Sequence, residues 1–278
     1  MRRLAVLGHP VSHSRSPAMQ NAALRALGLA GEWSYEAIDV EPSEFAGRTR
    51  ELPDEGFAGV NVTIPHKEAA LEVADEASEA AKRIGAANTL SFRDGAVRAD
   101  NTDASGLLAA LPDPVEGRSA LVLGAGGSAR AAAWALAGQG AAVSVWNRTP
   151  ERADELVRSL ARSGEGTPAE GRLRAVTAEQ ARANAYKLIV NCTAIGMGDE
   201  DPFEDLPLDP ERLAGEIVVV DLVYAGSESR LVREARSRGA IAVDGLEILV
   251  RQGAESLRIW TGQDPPLEVM RSAARVGS

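Results

Sequence analysis

Four polar clusters crowd the first 103 residues, and their side chains are of the kind that hold a ligand rich in hydroxyls. Residues 8–17 read GHPVSHSRSP and put Ser14 and Ser16 in a loop directly after an apolar run. Residues 61–67 read NVTIPHK, residues 86–89 AANT and residues 100–103 DNTD. Each cluster alone is ordinary turn chemistry, because Asn, Asp, Ser, Thr and Pro dominate loops. The first two follow strand candidates, where α/β sheets hold ligands, and four such clusters together point to a polyhydroxylated small molecule.

A second chemistry is written at residues 121–129, LVLGAGGSA. Gly124, Ala125, Gly126, Gly127, Ser128 and Ala129 fit the G-x-G-x-x-G/A dinucleotide fingerprint, between an apolar strand candidate and an Ala-rich helix. Gly124 permits the tight turn, Gly126 lets the backbone approach a pyrophosphate, and Ala129 keeps the helix close to the sheet. N–H groups at the helix start then hold phosphates. A tight strand-to-helix turn without ligand is the plainer alternative. The next strand candidate, 142–146, ends in Asn147, Arg148 and Thr149, with Arg152 one turn further and no carboxylate at the strand end. A carboxylate there serves the ribose hydroxyls of NAD, whereas arginine pairs with the 2′-phosphate of NADP. Solvated helix-start arginines are the alternative, but the positive end of a helix dipole does not favour them. NADP is the expected cofactor.

These residues need elements to carry them. Short apolar runs alternate with helical patterns from end to end, the signature of βαβ units and a mostly parallel sheet, so the fold class is α/β. The spacing predicts strands at 3–7, 33–40, 59–64, 119–123, 142–146, 188–191 and 217–221. Helices are expected at 16–27, 43–51, about 66–83, 127–137 and 151–161, with Ser16 as an N-cap before Pro17. Residues 89–92 and 96–98 suit a hairpin around Asp94 and Gly95. Segments 163–171 and 198–210 read as surface loops, and Pro265 and Pro266 split the last helical region. The LPDP run at 111–114 marks a boundary between two α/β domains, which a length of 278 residues accommodates.

Composition narrows the class. Apolar residues make up 45% and charged residues 25%, the balance of a chain with a real core. A net charge of −10 argues against nucleic acid, which needs a basic face, and is read as favouring solubility. The single cysteine, Cys192, excludes an intramolecular disulfide, and it reads as a small partly buried residue. His9, His13 and His66 are not in a metal-ligand spacing, so no metal site is expected. The N-terminal apolar stretch is too short for a signal peptide, and no window approaches the roughly 20 apolar residues of a membrane helix. The expectation is a cytoplasmic protein without a membrane partner.

With these segments in order, the chain resembles the shikimate dehydrogenase family. The matching runs are GHPVSHSRSP, NVTIPHK, GAANT, DNTD, GAGGSAR, NRT, NCTAIGM, DLVY and DGLEILVRQGA, spread from residue 8 to 254. The resemblance implies an N-terminal α/β substrate domain (1–103), a Rossmann-type NADP domain (104–240) and C-terminal helices (241–278) returning to the first, with substrate in the cleft between domains. It implies an NADP-dependent alcohol dehydrogenase acting on a CH–OH group, interconverting shikimate and 3-dehydroshikimate in chorismate and aromatic amino acid biosynthesis. Lys67 and Asp103 match the catalytic pair. Ser14 and Ser16, helped by Tyr224, match the holders of the substrate carboxylate. Asn61, Thr63, Asn88 and Gln252 match groups that bind ring hydroxyls, and Gly245 falls where the backbone borders the nicotinamide. The family contains both monomers and homodimers.

Departures from the family pattern are Gln20 before Asn21, His66 before Lys67, Ile248, and the residues after Tyr224. Lys67 taken alone reads equally as a solvated lysine opening a helix, and His66 either borders the substrate or faces solvent. Relatives preferring quinate, aminoshikimate or NAD are the nearest alternative. A non-catalytic ligand sensor and a folate-dependent dehydrogenase are more distant ones.

Overall fold

The computed structural model describes residues 1–162, 171–198, 200–224 and 228–276. The chain divides into two units, Met1–Gly106 with Leu249–Ser278, and Leu107–Ile248.

The first unit runs β1 (Arg2–Gly8), α1 (Ser16–Ala26), β2 (Trp33–Asp39), α2 (Phe45–Glu51), β3 (Phe57–Val62), α3 (Lys67–Glu72), β4 (Glu76–Ala77), α4 (Glu79–Ile84), β5 (Thr89–Arg93), β6 (Ala96–Asp100) and the start of α5 (Asp103–Ala110). Its sheet has the order β2-β1-β3-β5-β6-β4. Three of its five pairings are parallel, and the β5–β6 hairpin sets β5 antiparallel to both β3 and β6. The hairpin turns at Asp94 and Gly95, both with positive φ (54° and 77°), the pairing a tight two-residue turn favours. A core of Leu7, Phe45, Leu52, Val60, Ala70 and Leu90 lies under one face.

Leu107–Ile248 forms the second unit. It contains β7 (Ser119–Leu123), α6 (Gly127–Gly138), β8 (Ala142–Trp146), α7 (Pro150–Arg162), β9 (Leu173–Ala175), α8 (Ala178–Ala183), β10 (Leu188–Asn191), α9 (Pro202–Asp205), β11 (Val218–Asp221), α10 (Arg230–Ser237) and β12 (Ile241–Val243). Two helices follow, α11 (Gly245–Thr261) and α12 (Leu267–Val276). The sheet order β12-β11-β10-β7-β8-β9 is parallel throughout, the doubly wound arrangement whose switch point lies between β7 and β10. Strand alternation feeds two cores at once. Ala120 and Val122 pack into one cluster with α6 and α7, and Leu121 and Leu123 into another with α8 and α10. The alanines of α6 (129, 131, 132, 133, 135 and 137) are buried, so the helix lies close on the sheet.

Several expectations need correction. Arg15, not Ser16, is the N-cap of α1, and the Ser16 N–H donates to Ser14 Oγ at 3.3 Å. Pro17 has no N–H to satisfy, so it is tolerated at the second helical position as well as the first, and the helix begins one residue earlier than the Ser-Pro signal suggests. The 66–83 stretch is broken by β4, which pairs with β6. Segment 198–210 is not all surface loop. Asp201 caps α9 by accepting from Phe203 N at 3.0 Å, and Leu206 and Leu208 are buried in the second unit's core. Residues 163–170 and 199 of the expected loops lie outside the described residues. The LPDP run is not where the units part, because Leu111 and Val115 belong to the second unit's core.

Candidate active site

In the first unit, Lys67 and Asp103 open two helices and meet. Lys67 begins α3 immediately after β3 and the PH pair, and Asp103 begins α5. A lysine at a helix start is disfavoured by the dipole and an aspartate there is favoured, so the ion pair offsets the poor placement of one with the good placement of the other. Lys67 Nζ donates to Asp103 Oδ2 at 2.5 Å, and both side chains are nearly buried, 11% and 12% exposed. Asn101 caps α5, its Oδ1 accepting from the N–H of Asp103 (3.1 Å) and of Ala104 (3.3 Å).

The other carboxylate oxygen of Asp103 is held by Asn88, whose Nδ2 donates to Oδ1 at 2.9 Å. Thr102 Oγ1 (2.9 Å) and Gln252 Oε1 (3.1 Å) share the remaining hydrogen of the same Nδ2, while the amide oxygen accepts from Thr102 N at 2.8 Å. Beneath lies a buried hydroxyl layer. Ser256 Oγ sits 2.8 Å from Thr89 Oγ1 and 3.1 Å from Thr102 Oγ1, and Asn61 Nδ2 donates to it at 2.9 Å. Asn61 also donates to Asn88 O (3.1 Å) and accepts from Tyr35 Oη (2.8 Å), so both ends of its amide are bonded within the protein. Lys67, Asp103, Asn88, Gln252 and Asn61 thus form one connected network, and Thr63 lies just beyond β3 with its N–H on Leu7 O.

The serine loop is pinned by three hydrogen bonds. Asp39, at the end of β2, accepts from His9 Nδ1 at 2.7 Å and from Val11 N at 3.0 Å. Arg15 is 7% exposed and donates to Ala274 O of α12 at 2.9 Å. The Asp39 hydrogen bond and Glu41 raise His9 above the ordinary histidine value. His66 neither faces solvent nor reaches the polar cluster. It is 2% exposed, stacks on Phe45 at 4.5 Å, and its Nε2 donates to Val40 O at 2.8 Å, while burial lowers its pKa. The roles of Asp39, Arg15, Thr89, Thr102 and Ser256 escape sequence reasoning. Of these, Arg15, Thr89 and Thr102 carried a signal, by lying inside the GHPVSHSRSP, GAANT and DNTD runs.

In the second unit, β7 ends in Gly124, whose φ of +110° is a conformation that glycine alone adopts freely. Its N–H donates to Trp146 O at 2.7 Å, and α6 starts three residues later. No atom lies within 4 Å of where a Cβ at Gly126 would stand, and that N-cap makes no side-chain capping bond. Gly127, Ser128 and Ala129 form the first turn of α6, which holds no acidic residue. Ala125 lies in the turn itself. At the end of β8, Asn147 Nδ2 donates to Thr149 O at 3.0 Å, shaping the turn into α7. Arg148 and Arg152 are exposed, and no carboxylate among the described residues pairs with either. A glycine cradle, an open helix start and two guanidinium groups at the second strand end fit a dinucleotide with a 2′-phosphate. Tyr224, half-buried, follows β11, and Gly245 opens α11. Both belong to the second unit, whereas Ser14 and Ser16 belong to the first. Among the described residues no cluster of three or more His, Cys, Asp or Glu is arranged to hold a metal ion.

The model of the shikimate dehydrogenase substrate binding domain matches residues 6–90, that of shikimate / quinate 5-dehydrogenase residues 108–193, and that of the shikimate 5′-dehydrogenase C-terminal domain residues 245–275. The shikimate dehydrogenase (NADP(+)) of Thermus thermophilus is 47% identical, covering 99% of this chain and 98% of the relative. That of Methanothermobacter thermautotrophicus is 44% identical, covering 97% of this chain and 94% of the relative. The crystal structure of shikimate 5-dehydrogenase from Thermus thermophilus in complex with NADP(H) and shikimate superposes with a TM-score of 0.85 at 45% identity, covering 100% of both chains. Near-complete coverage at such identity leaves no segment to another family, and the chain belongs to the shikimate dehydrogenase family.

Proposed function

We propose that this chain works as an NADP-dependent shikimate dehydrogenase in which Lys67 moves the proton and Asp103 orients it. The enzyme reversibly reduces 3-dehydroshikimate to shikimate, a step towards chorismate and the aromatic amino acids. The observation that carries the residue roles is the nearly buried Lys67–Asp103 pair at 2.5 Å, with Asn88 fixing the second carboxylate oxygen at 2.9 Å. When bound, the nicotinamide supplies or accepts the hydride at the reacting ring carbon.

In the reductive direction the Lys67 ammonium donates its proton to the carbonyl oxygen as charge develops there, and stabilises that charge until transfer. In the oxidative direction Lys67 takes the hydroxyl proton, so protons and electrons balance over the cycle. Asp103, held on both oxygens, keeps the amine in one place. Ser14 and Ser16 receive the substrate carboxylate on the loop that Asp39 and Arg15 pin, with Tyr224 assisting. Thr63, Asn88 and Gln252 hold the ring hydroxyls, and Asn61 acts in that set by fixing Asn88. Gly124, Ala125, Gly126, Gly127, Ser128 and Ala129 cradle the pyrophosphate, Asn147, Arg148, Thr149 and Arg152 take the adenosine 2′-phosphate end, and Gly245 borders the nicotinamide. No helix among the described residues is long and apolar enough to cross a membrane. The reading places the enzyme in the cytoplasm, as a monomer or homodimer.

The test is NADPH formation by purified protein given NADP⁺ and shikimate, beside wells with NAD⁺ and with quinate. Turnover confined to NADP⁺ with shikimate is expected. A preference for NAD⁺ or quinate would keep the Lys67–Asp103 pair but overturn the substrate and arginine assignments, and silence in every well would end the enzymatic reading.

A further inference from the structure

Asn191 of the NCT run and Asp221 of the DLVY run are left without a task by this mechanism, yet they form a buried pair in the second unit. Asn191 ends β10, Asp221 ends β11, the two are register partners, and both are 0% exposed. Asn191 Nδ2 donates to Asp221 Oδ1 at 2.9 Å. Each partner then reaches forward into its own loop. Asn191 Nδ2 also donates to Ile195 O at 3.2 Å, and its Oδ1 accepts from Thr193 N (3.1 Å) and Thr193 Oγ1 (2.7 Å). Asp221 accepts from Val223 N at 3.1 Å and from Ser229 Oγ at 2.6 Å.

Those two loops are the backbones on which two of the glycines rest. A Cβ on Gly124 would stand 3.3 Å from Cys192 C, Cys192 O and Thr193 Cγ2. A Cβ on Gly245 would stand 2.6 Å from Leu222 O and 2.7 Å from Val223 O. One buried pair therefore sets the height of the loop under Gly124 and of the loop under Gly245. Every polar atom of the pair is satisfied, and in a low dielectric such a network resists displacement.

We propose that Asn191 and Asp221 are positioning residues for the dinucleotide, a single buried clamp that aligns the turn bearing Gly124 with the backbone bearing Gly245. This rests on the reading of those glycines as cofactor-binding. It deepens that reading by naming what holds them, on residues that touch neither substrate nor cofactor. A loop displaced by about 1 Å at such a distance from the chemistry can cost on the order of a hundredfold in rate.

The experiment measures NADP⁺ dissociation by titration calorimetry on the full chain, shikimate dissociation by tryptophan fluorescence, and the isotope effect with shikimate deuterated at the reacting carbon. Asn191→Ala and Asp221→Ala are expected to weaken NADP⁺ about tenfold and raise the isotope effect, with shikimate affinity within about twofold, because the first unit's network is untouched. Asp221→Asn keeps the acceptor facing Asn191 and Val223 and should recover most of the loss. Thr193→Val, which removes one hydroxyl and little volume, should shift NADP⁺ affinity in the same direction by a few fold, and it serves if the alanine variants do not fold. Unchanged NADP⁺ affinity in folded Asn191→Ala, Asp221→Ala and Thr193→Val would overturn the proposal. So would parallel losses of melting temperature and of affinity for both ligands, without recovery in Asp221→Asn. Failure of the unaltered chain to bind NADP⁺ would overturn the cofactor reading itself and the clamp with it.

Discussion

The two units build their sites from opposite materials. In the first, functional side chains are held by one another: Lys67 by Asp103, Asp103 by Asn88, Asn88 by Thr102 and Gln252, and all of these above a layer of buried hydroxyls. In the second, the proposed cofactor surface is backbone, with a positive-φ glycine at 124, open space at Gly126 and two arginines that meet no carboxylate among the described residues. The difference follows from the ligands' chemistry. A proton must be passed to one atom, which requires a group fixed in direction as well as distance. A pyrophosphate is a diffuse charge that needs N–H groups and room. Damage should therefore spread within the first site and stay local in the second, unless it reaches the buried Asn191–Asp221 pair.

The largest expected effect is in the first unit. Lys67→Ala should lower turnover by a factor of about 10² to 10⁴, the usual worth of a positioned proton-transfer group, while shikimate binding changes modestly. Steady-state rates and equilibrium binding measured on the same preparation check this, and near-normal turnover would end the assignment. Next is Arg148→Ala with Arg152→Ala. Each lost charge-assisted bond is worth about 1.5–3 kcal/mol, so KM for NADP⁺ should rise at least tenfold while KM for NAD⁺ and the melting temperature stay put. A fall in melting temperature would mean that these arginines are structural, and the contrast between the units would blur.

The smallest effects sit at the edge of the first site and are visible only in pH. The folded state raises the pKa of His9, so its contribution is complete below the ordinary value of 6.5 and fades as pH climbs through the raised one. His66 is lowered, so its contribution is present above 6.5 and is lost as pH falls through the lowered value. Urea unfolding across pH 5–8 should show His9→Gln removing the first slope and His66→Gln the second, with opposite signs. Identical profiles for both variants would break the assignment of His9 to the Asp39 contact and of His66 to the interior.

What could be read from the chain beforehand divides along the same line. The second unit's fingerprint is local: Gly124, Gly126 and Ala129 fall within six residues, and β7, β8 and β10 occur where their apolar runs predict. Lys67, Asn88 and Asp103 are legible only as members of polar clusters, because nothing local says that they touch. Ser256 and Tyr35 were invisible, since their hydroxyls gain meaning from partners 167 and 26 residues away. The three-residue edge strands β9 and β12 are too short to show a period, and only pairing to β8 and β11 defines them. His66 misled because its stacking on Phe45 and its bond to Val40 O involve residues more than 20 positions earlier.

The interrupted first unit bears on the order of events at the ribosome. Residues 107–248 are continuous, so the second unit has everything it needs once they have emerged. The first unit is begun earlier but must wait, because its sheet face receives Trp260 Nε1 on Leu90 O, its hydroxyl layer receives Ser256, and Arg15 has its carbonyl partner only at Ala274. On this division the usual N-terminal-first sequence of domain folding should be inverted. The exposed edges of an unfinished β1–β6 sheet are what a chaperone would meet during that interval.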